Sequence, residues 1–158
     1  MNKFEPAPEK FSEIRWHYTT LEKLDDILYS DELLPTFVIG TVPYAIWFSS
    51  NPEMDQSVKV KSPDIRIGVS PAVANMSWQE FRKMFPAEVS SYCDGLERGY
   101  DHHNWYVSLH HVGREKWLRV QGLLCGVWTD INLPDRPNLA VRFWRRLRQG
   151  SRFRTRVG

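Results

Sequence analysis

The chain has 158 residues, enough for one domain with a sizeable core that needs no disulfide or metal staples. Its 42% hydrophobic and 25% charged residues exclude a disordered or collagen-like chain. The net charge of +2 hides an asymmetry: residues 142–156 hold seven arginines and no acid, which leaves 14 basic against 19 acidic groups, a net of −5, elsewhere.

A proline-bearing lead, residues 1–13, precedes the first predicted element. IRWHYT, residues 14–19, is short, aromatic and branched, which predicts a strand. TLEKLDDILYSDELL follows as a helix. Thr19 and Glu22 stand at capping-box spacing, Leu21, Leu24, Ile27 and Leu28 form one apolar stripe, and Pro35 ends the element. Tyr44 to Ser49 reads as a strand closed by the turn formers Asn51 and Pro52. VKVKSPDIRIGVSP holds two strand-like pieces split at Ser62-Pro63, and residues 65–69 are the better one.

SWQEFRKMF is a second predicted helix, with capping spacing from Ser77 to Glu80 and an apolar side of Trp78, Phe81 and Phe85. SSYCDGLERGYDHHN is a weaker helix because Gly95 and Gly99 interrupt it. Residues 105–112 and 117–121 read as strands, with Gly122 and Gly126 marking bends or bulges beyond the second. NLAVRFWRRLRQG predicts a terminal amphipathic helix over 139–149, capped by Asn138, stopped by Gly150 and packed through Val141, Trp144 and Leu147. The expected architecture is a single α+β domain over residues 14–138, around a mixed or antiparallel sheet with inserted helices. A basic helix and tail over 139–158 follow it.

Cys93 and Cys125 stand too far apart for a zinc motif or a disulfide framework, and each reads as a core thiol, in a helix and a strand respectively. The lead lacks a signal peptide's apolar segment, and no apolar run approaches a membrane span. A cytoplasmic protein is expected. Of the five histidines, His102 and His103 are adjacent, as are His110 and His111. Neighbours on a strand face opposite sides, so neither pair is a ready chelate, and no metal is expected. Phosphate-loop, dinucleotide and nucleophile-elbow motifs are absent. His17, between Trp16 and Tyr18 near a strand end, has two readings: a neutral imidazole bonding a ribose hydroxyl, or a satisfied, partly buried ring.

WHYTTLEKLDDIL followed by AIWFSSNP resembles the ADP-ribosyltransferase-like proteins, closest to small bacterial and phage proteins with the same His-Tyr-Thr and Trp-Phe-Ser layout. The resemblance covers residues 14–52 and implies a split, twisted β-sandwich that binds NAD. It implies that His17 and Glu115 are catalytic: His17 holds a ribose, and the carboxylate of Glu115, preceding a late strand, stabilises the oxocarbenium-like transition state. It places Tyr18, Trp47, Phe48 and Ser49 among the cofactor-binding residues, with Ser49 at the ribose and Trp47 or Phe48 against nicotinamide. Arg66, and comparably Arg15, are candidates for the pyrophosphate. The family's Glu-x-Glu or Gln-x-Glu motif is missing, since residue 113 is glycine, which argues against arginine modification. The expected function is NAD-dependent transfer of ADP-ribose to an unknown macromolecular or small-molecule acceptor. The alternatives are a non-enzymatic binding protein on the same fold, of phage, toxin or defence-system origin, and an NAD-dependent RNA 2′-phosphotransfer. The arginine-rich end is a candidate surface for an acidic partner or nucleic acid.

Overall fold

Alternation organises the first strand, β1 (Arg15–Thr19): Trp16 and Tyr18 turn to one side, Arg15, His17 and Thr19 to the other. A computed structural model of the chain describes residues 13–53 and 62–133. The expected terminal helix over 139–149, its tail and the strand-like piece before Ser62 lie outside the described residues.

Helix α1 (Leu21–Ser30) follows β1 directly. Its N-cap is Thr20, whose hydroxyl accepts from the Lys23 amide at 3.4 Å; Thr19 is instead the last strand residue, paired with Ile65. The helix ends well before Pro35. Asp31 adopts the left-handed conformation at φ 62° and its amide donates to the Ile27 carbonyl at 2.9 Å. This turn frees Glu32–Leu33 to form β2.

Strand β3 (Ile46–Ser49) is shorter than the expected 44–49, with Ala45 held only by an isolated bridge to Thr36. Strand β4 (Ile65–Val69) is buried along its whole length. Strand β5 (Met76–Ser77) leads into α2 (Trp78–Arg82), where Ser77 and Glu80 complete a reciprocal capping box. Helix α3 (Ser90–Glu97) carries Gly95 with open space around it.

The expected strand over 105–112 divides in two. Strand β6 (Trp105–Ser108) stops where the Ser108 hydroxyl closes a local turn with His110, and Val112–Gly113 forms β7 against β2. Strand β8 (Trp117–Leu124) runs past 121 and folds back as β9 (Val127–Asp130). Gly122 sits within β8 and Gly126 lies in the tight turn between the strands. Cys125 at φ 50° and Gly126 at φ 80° supply the two left-handed residues of that hairpin turn, so Cys125 is exposed and not a core thiol.

These strands form one seven-stranded sheet in the order β5-β6-β3-β1-β4-β8-β9, beside the two-stranded β2-β7 pair. Every described pairing is antiparallel, so the sheet is not mixed. On the first face, α1 buries Leu24 and Leu28 against Phe48, Ile65, Ile67 and Val69. On the second, Trp78, Phe81 and Cys93 of α2 and α3 pack on Trp105 and Val107. A smaller cluster of Ile14, Trp16 and Tyr18, with Trp128 against it, lies at the other end of that second face. β1 sits near the middle of the sheet, with side chains in both layers.

Candidate functional site

His17 projects from the centre of β1 onto the first face, half-buried beside Phe48, whose ring it meets edge-on at 5.9 Å. Its Nδ1 lies 2.9 Å from the Trp47 carbonyl oxygen, an atom that can only accept, so Nδ1 carries the proton. Burial pushes the His17 pKa below its usual value; the bond to Trp47 opposes that shift and the nearby Lys23 charge reinforces it. The ring is therefore neutral at pH 7, with Nε2 as its acceptor.

The register extends this site. Trp16 pairs with Ser49, and one step outward in each strand brings Arg15 level with Ser50. Phe48 pairs with Tyr106. The Arg15 guanidinium lies 3.5 Å from the Tyr106 ring centroid, and its buried Nε has no hydrogen-bond partner. Ser50 donates through its amide to the Asn104 carbonyl and through its hydroxyl to Asn104 Oδ1, both at 2.9 Å. Asn104 Nδ2 in turn donates to Asp101 Oδ2 at 2.8 Å. The first face thus carries a cation, a neutral imidazole and two aromatic rings on neighbouring strands, and a serine–asparagine–aspartate chain lies beyond the ends of β3 and β6. Arg15 was a sequence candidate; Ser50, Tyr106, Asn104 and Asp101 were not. The pairing of β3 with β6, which local periodicity does not encode, brings them in.

Of the other residues expected to bind a cofactor, only Phe48 and Arg15 share this face with His17. Tyr18 points to the second face and donates its hydroxyl to the main-chain carbonyls of Asn51 and Glu53, at 2.8 and 3.1 Å. Trp47 is enclosed by Trp78 at 5.5 Å, Phe81 at 5.7 Å and Trp105 at 6.3 Å. It serves His17 through its carbonyl and not its ring. Ser49 is fully buried and accepts from the Asn51 amide at 3.1 Å.

Arg66 is also on the second face, between Trp16 and Trp128 with ring centroids 4.0 and 4.5 Å away. Its Nε donates to Gln121 Oε1 at 2.8 Å and its NH1 to the Pro52 carbonyl. Gln121 then donates to Asp130 at 2.9 Å, which also holds Arg119. The Arg66 guanidinium is thereby engaged in the fold, on the side of the sheet away from His17.

Glu115 is exposed on the turn Arg114–Lys116 that precedes β8. His17 is level with Ile67, and Ile67 with Val120, so Glu115 lies two strands across and five positions upstream. At about 3.3 Å per residue and 4.8 Å per strand this is a separation of more than about 10 Å. The structure does not bring Glu115 to His17. The late strand beside β3 is β6; the carboxylate that precedes it, Asp101, lies two strands across from His17 and five positions upstream of Tyr106, as far by register as Glu115 but on the other side of β1.

Among the described residues no group of three or more His, Cys, Asp and Glu is placed to hold a metal ion, and no helix is long and apolar enough to cross a membrane. No family model, curated protein or solved structure matches the chain.

Proposed function

We propose that the chain binds NAD on the first face of the sheet, with a ribose hydroxyl donating to His17 Nε2. The observation that carries this reading is the Nδ1 bond to the Trp47 carbonyl, which holds the ring in one tautomer and leaves Nε2 as an acceptor. Arg15, lying on Tyr106 and with an unpartnered Nε, supplies positive charge beside it for a pyrophosphate. The Arg66 role suggested by sequence passes to Arg15, and Phe48 and Tyr106 are the rings on the same face. This agrees with the ADP-ribosyltransferase-like resemblance in its first-strand histidine and departs from it in the acid.

Transfer of ADP-ribose to an acceptor is the second reading, favoured by the chain from Ser50 through Asn104 to Asp101. Loss of nicotinamide develops positive charge on the ribose, and a hydrogen-bonded carboxylate such as Asp101 stabilises that charge when the ribose is bound against it. The acceptor is an unknown macromolecule or small molecule, and the arginines of 142–156 are a candidate surface for an acidic one.

Calorimetric titration with NAD, paired with an assay of nicotinamide release in cell extract, tests both readings. Binding that weakens about tenfold or more in His17→Ala, the loss of one buried hydrogen bond and its contacts, supports the first. Release that disappears in Asp101→Asn while binding persists supports the second, because a transition-state contact is expressed in rate. Wild-type protein that takes up no NAD overturns both and leaves the non-enzymatic surface reading.

A further inference from the structure

The β8–β9 hairpin carries an apolar strip on the first face that α1 leaves open. Val120 and Gly122 pair with Ile67 and Ile65 of the first-face core, so Leu124, two positions on, shares their side. Leu124 pairs with Val127 and Gly122 with Thr129, which puts Val127 on that side too. Ile131 and Leu133 continue the alternation and pack against the same core, with the Ile131 amide donating to the Val120 carbonyl at 2.9 Å. Leu21, at the start of α1, adjoins the hairpin through Asp64. The Asp64 carboxylate accepts from the Leu21 amide at 2.7 Å and its carbonyl from the Leu123 amide at 2.8 Å. Leu21 and Leu124 are each 61% exposed and Val127 63%. Large apolar side chains left open next to one another mark an interaction surface.

The described residues end at Leu133, on this strip. The helix expected over 139–149 begins six steps later, a reach of at most about 22 Å. β6, on which α2 and α3 pack, is five strands from β9, about 24 Å away, and those helices cover the other face. At the near end of that face Trp16 and Tyr18 are already buried. The strip is thus the open apolar surface within reach. At helical spacing Leu139, Phe143 and Leu147 stand four apart and share one side with Trp144, while Arg142 and Arg145 fall opposite. α1 exposes Glu22, Asp25 and Asp26 against a single lysine, Lys23, so a basic helix laid beside it meets carboxylates. We propose that residues 139–149 dock as a helix on this strip, beside α1, with their apolar side on Leu124 and Val127 and their arginines outward. A short link on the same chain gives this segment a large advantage in effective concentration over a second copy. The arginine-rich end then presents a fixed basic surface to an acidic partner, whether or not the chain binds NAD.

Full-length protein with labelled leucine and valine methyls tests the docking by nuclear Overhauser contacts and amide hydrogen exchange. Contacts are expected from the Phe143 and Trp144 rings to the Leu124 and Val127 methyls, with slowed exchange over residues 140–147. The double variant Leu124→Lys/Val127→Lys puts charge on the strip at two exposed positions, so the fold is retained. It is expected to speed exchange over 140–147 about tenfold or more. Phe37→Lys, at an exposed position in the loop before β3, is expected to leave that exchange unchanged. Ring-to-methyl contacts that arise only between labelled and unlabelled chains in a mixed sample assign the strip to a second copy and overturn the proposal. Ring contacts to a different surface, unprotected amides over 140–147, or equal exchange in the double variant and wild type overturn it as well.

Discussion

His17 and Trp47 are joined by a 2.9 Å hydrogen bond from the imidazole Nδ1 to the main-chain carbonyl oxygen, across two neighbouring strands. The bond links two motifs, His-Tyr-Thr and Trp-Phe-Ser, that lie thirty residues apart in the chain. It selects the tautomer of the ring without using the Trp47 side chain, which packs on the opposite face. An imidazole held this way is an acceptor at Nε2 only while it remains neutral.

That condition sets a pH dependence. Burial holds the folded His17 pKa below its ordinary 6.5, so between those values the unfolded chain binds more protons than the folded one. The contribution to stability is fully present above about pH 6.5 and is lost as pH falls through the lowered folded value. Urea denaturation between pH 7.5 and 5 is expected to show wild-type stability decreasing on acidification, and His17→Phe to show a shallower slope. Equal slopes in the two proteins would assign the acid sensitivity to other groups. NAD affinity is expected to fall over the same window, because a protonated Nε2 no longer accepts.

Glu115→Gln is expected to leave both NAD binding and nicotinamide release unchanged. The residue is exposed on the turn before β8, two strands from His17. A loss of turnover in this variant, measured beside Asp101→Asn, would return the catalytic role to Glu115 and require the two ends of the sheet to approach each other in the reacting state.

Arg66→Ala should destabilise the protein while sparing ligand binding. It removes a cation between two indoles and leaves Gln121 Oε1 and the Pro52 carbonyl without their donor. Charged hydrogen bonds and a buried cation–π contact together make the cost about 2–4 kcal/mol. Denaturant midpoints measure the stability loss. An NAD affinity reduced as strongly as in His17→Ala, under conditions where the variant stays folded, would contradict the separation of the two faces.

Local signals carried much of this fold and little of the site. β1 and β4 were legible because branched and aromatic residues alternate or run continuously there, and α2 because Ser77 and Glu80 stand three apart before an apolar side. The start of α1 was ambiguous: two adjacent threonines can cap, and the pairing of Thr19 with Ile65 leaves the task to Thr20. β2 and β7, with two residues each, are too short to show a period, and their pairing ends α1 early. β9 was hidden because its turn uses Cys125 where Asn or Asp is the usual signal. Alternation separates His17 from Tyr18 in any strand. Which late strand lies beside β3 is a tertiary fact, and it puts the Asp101–Asn104 turn beyond β3 and Glu115 beyond β4, on opposite sides of β1.

Gly68 and Trp16 compete for the same volume, and this makes the second face testable. They are partners in the β1–β4 register, and a Cβ added at Gly68 meets the Trp16 ring at 2.8 Å and Ile14 Cγ2 at 2.7 Å. Real Cβ atoms do not approach so closely, so Gly68→Ala must displace the indole that also stacks on Arg66. Overpacking of this kind costs about 1–3 kcal/mol. Shortening the partner makes room: in Trp16→Leu/Gly68→Ala the alanine is expected to cost less than in the wild-type background, a coupling of about 1 kcal/mol or more in a double-mutant cycle. Trp16→Leu alone is destabilising, because it removes a buried ring and one side of the Arg66 clamp. Unfolding free energies of the four proteins close the cycle, and strict additivity would show that the indole does not rest on Gly68.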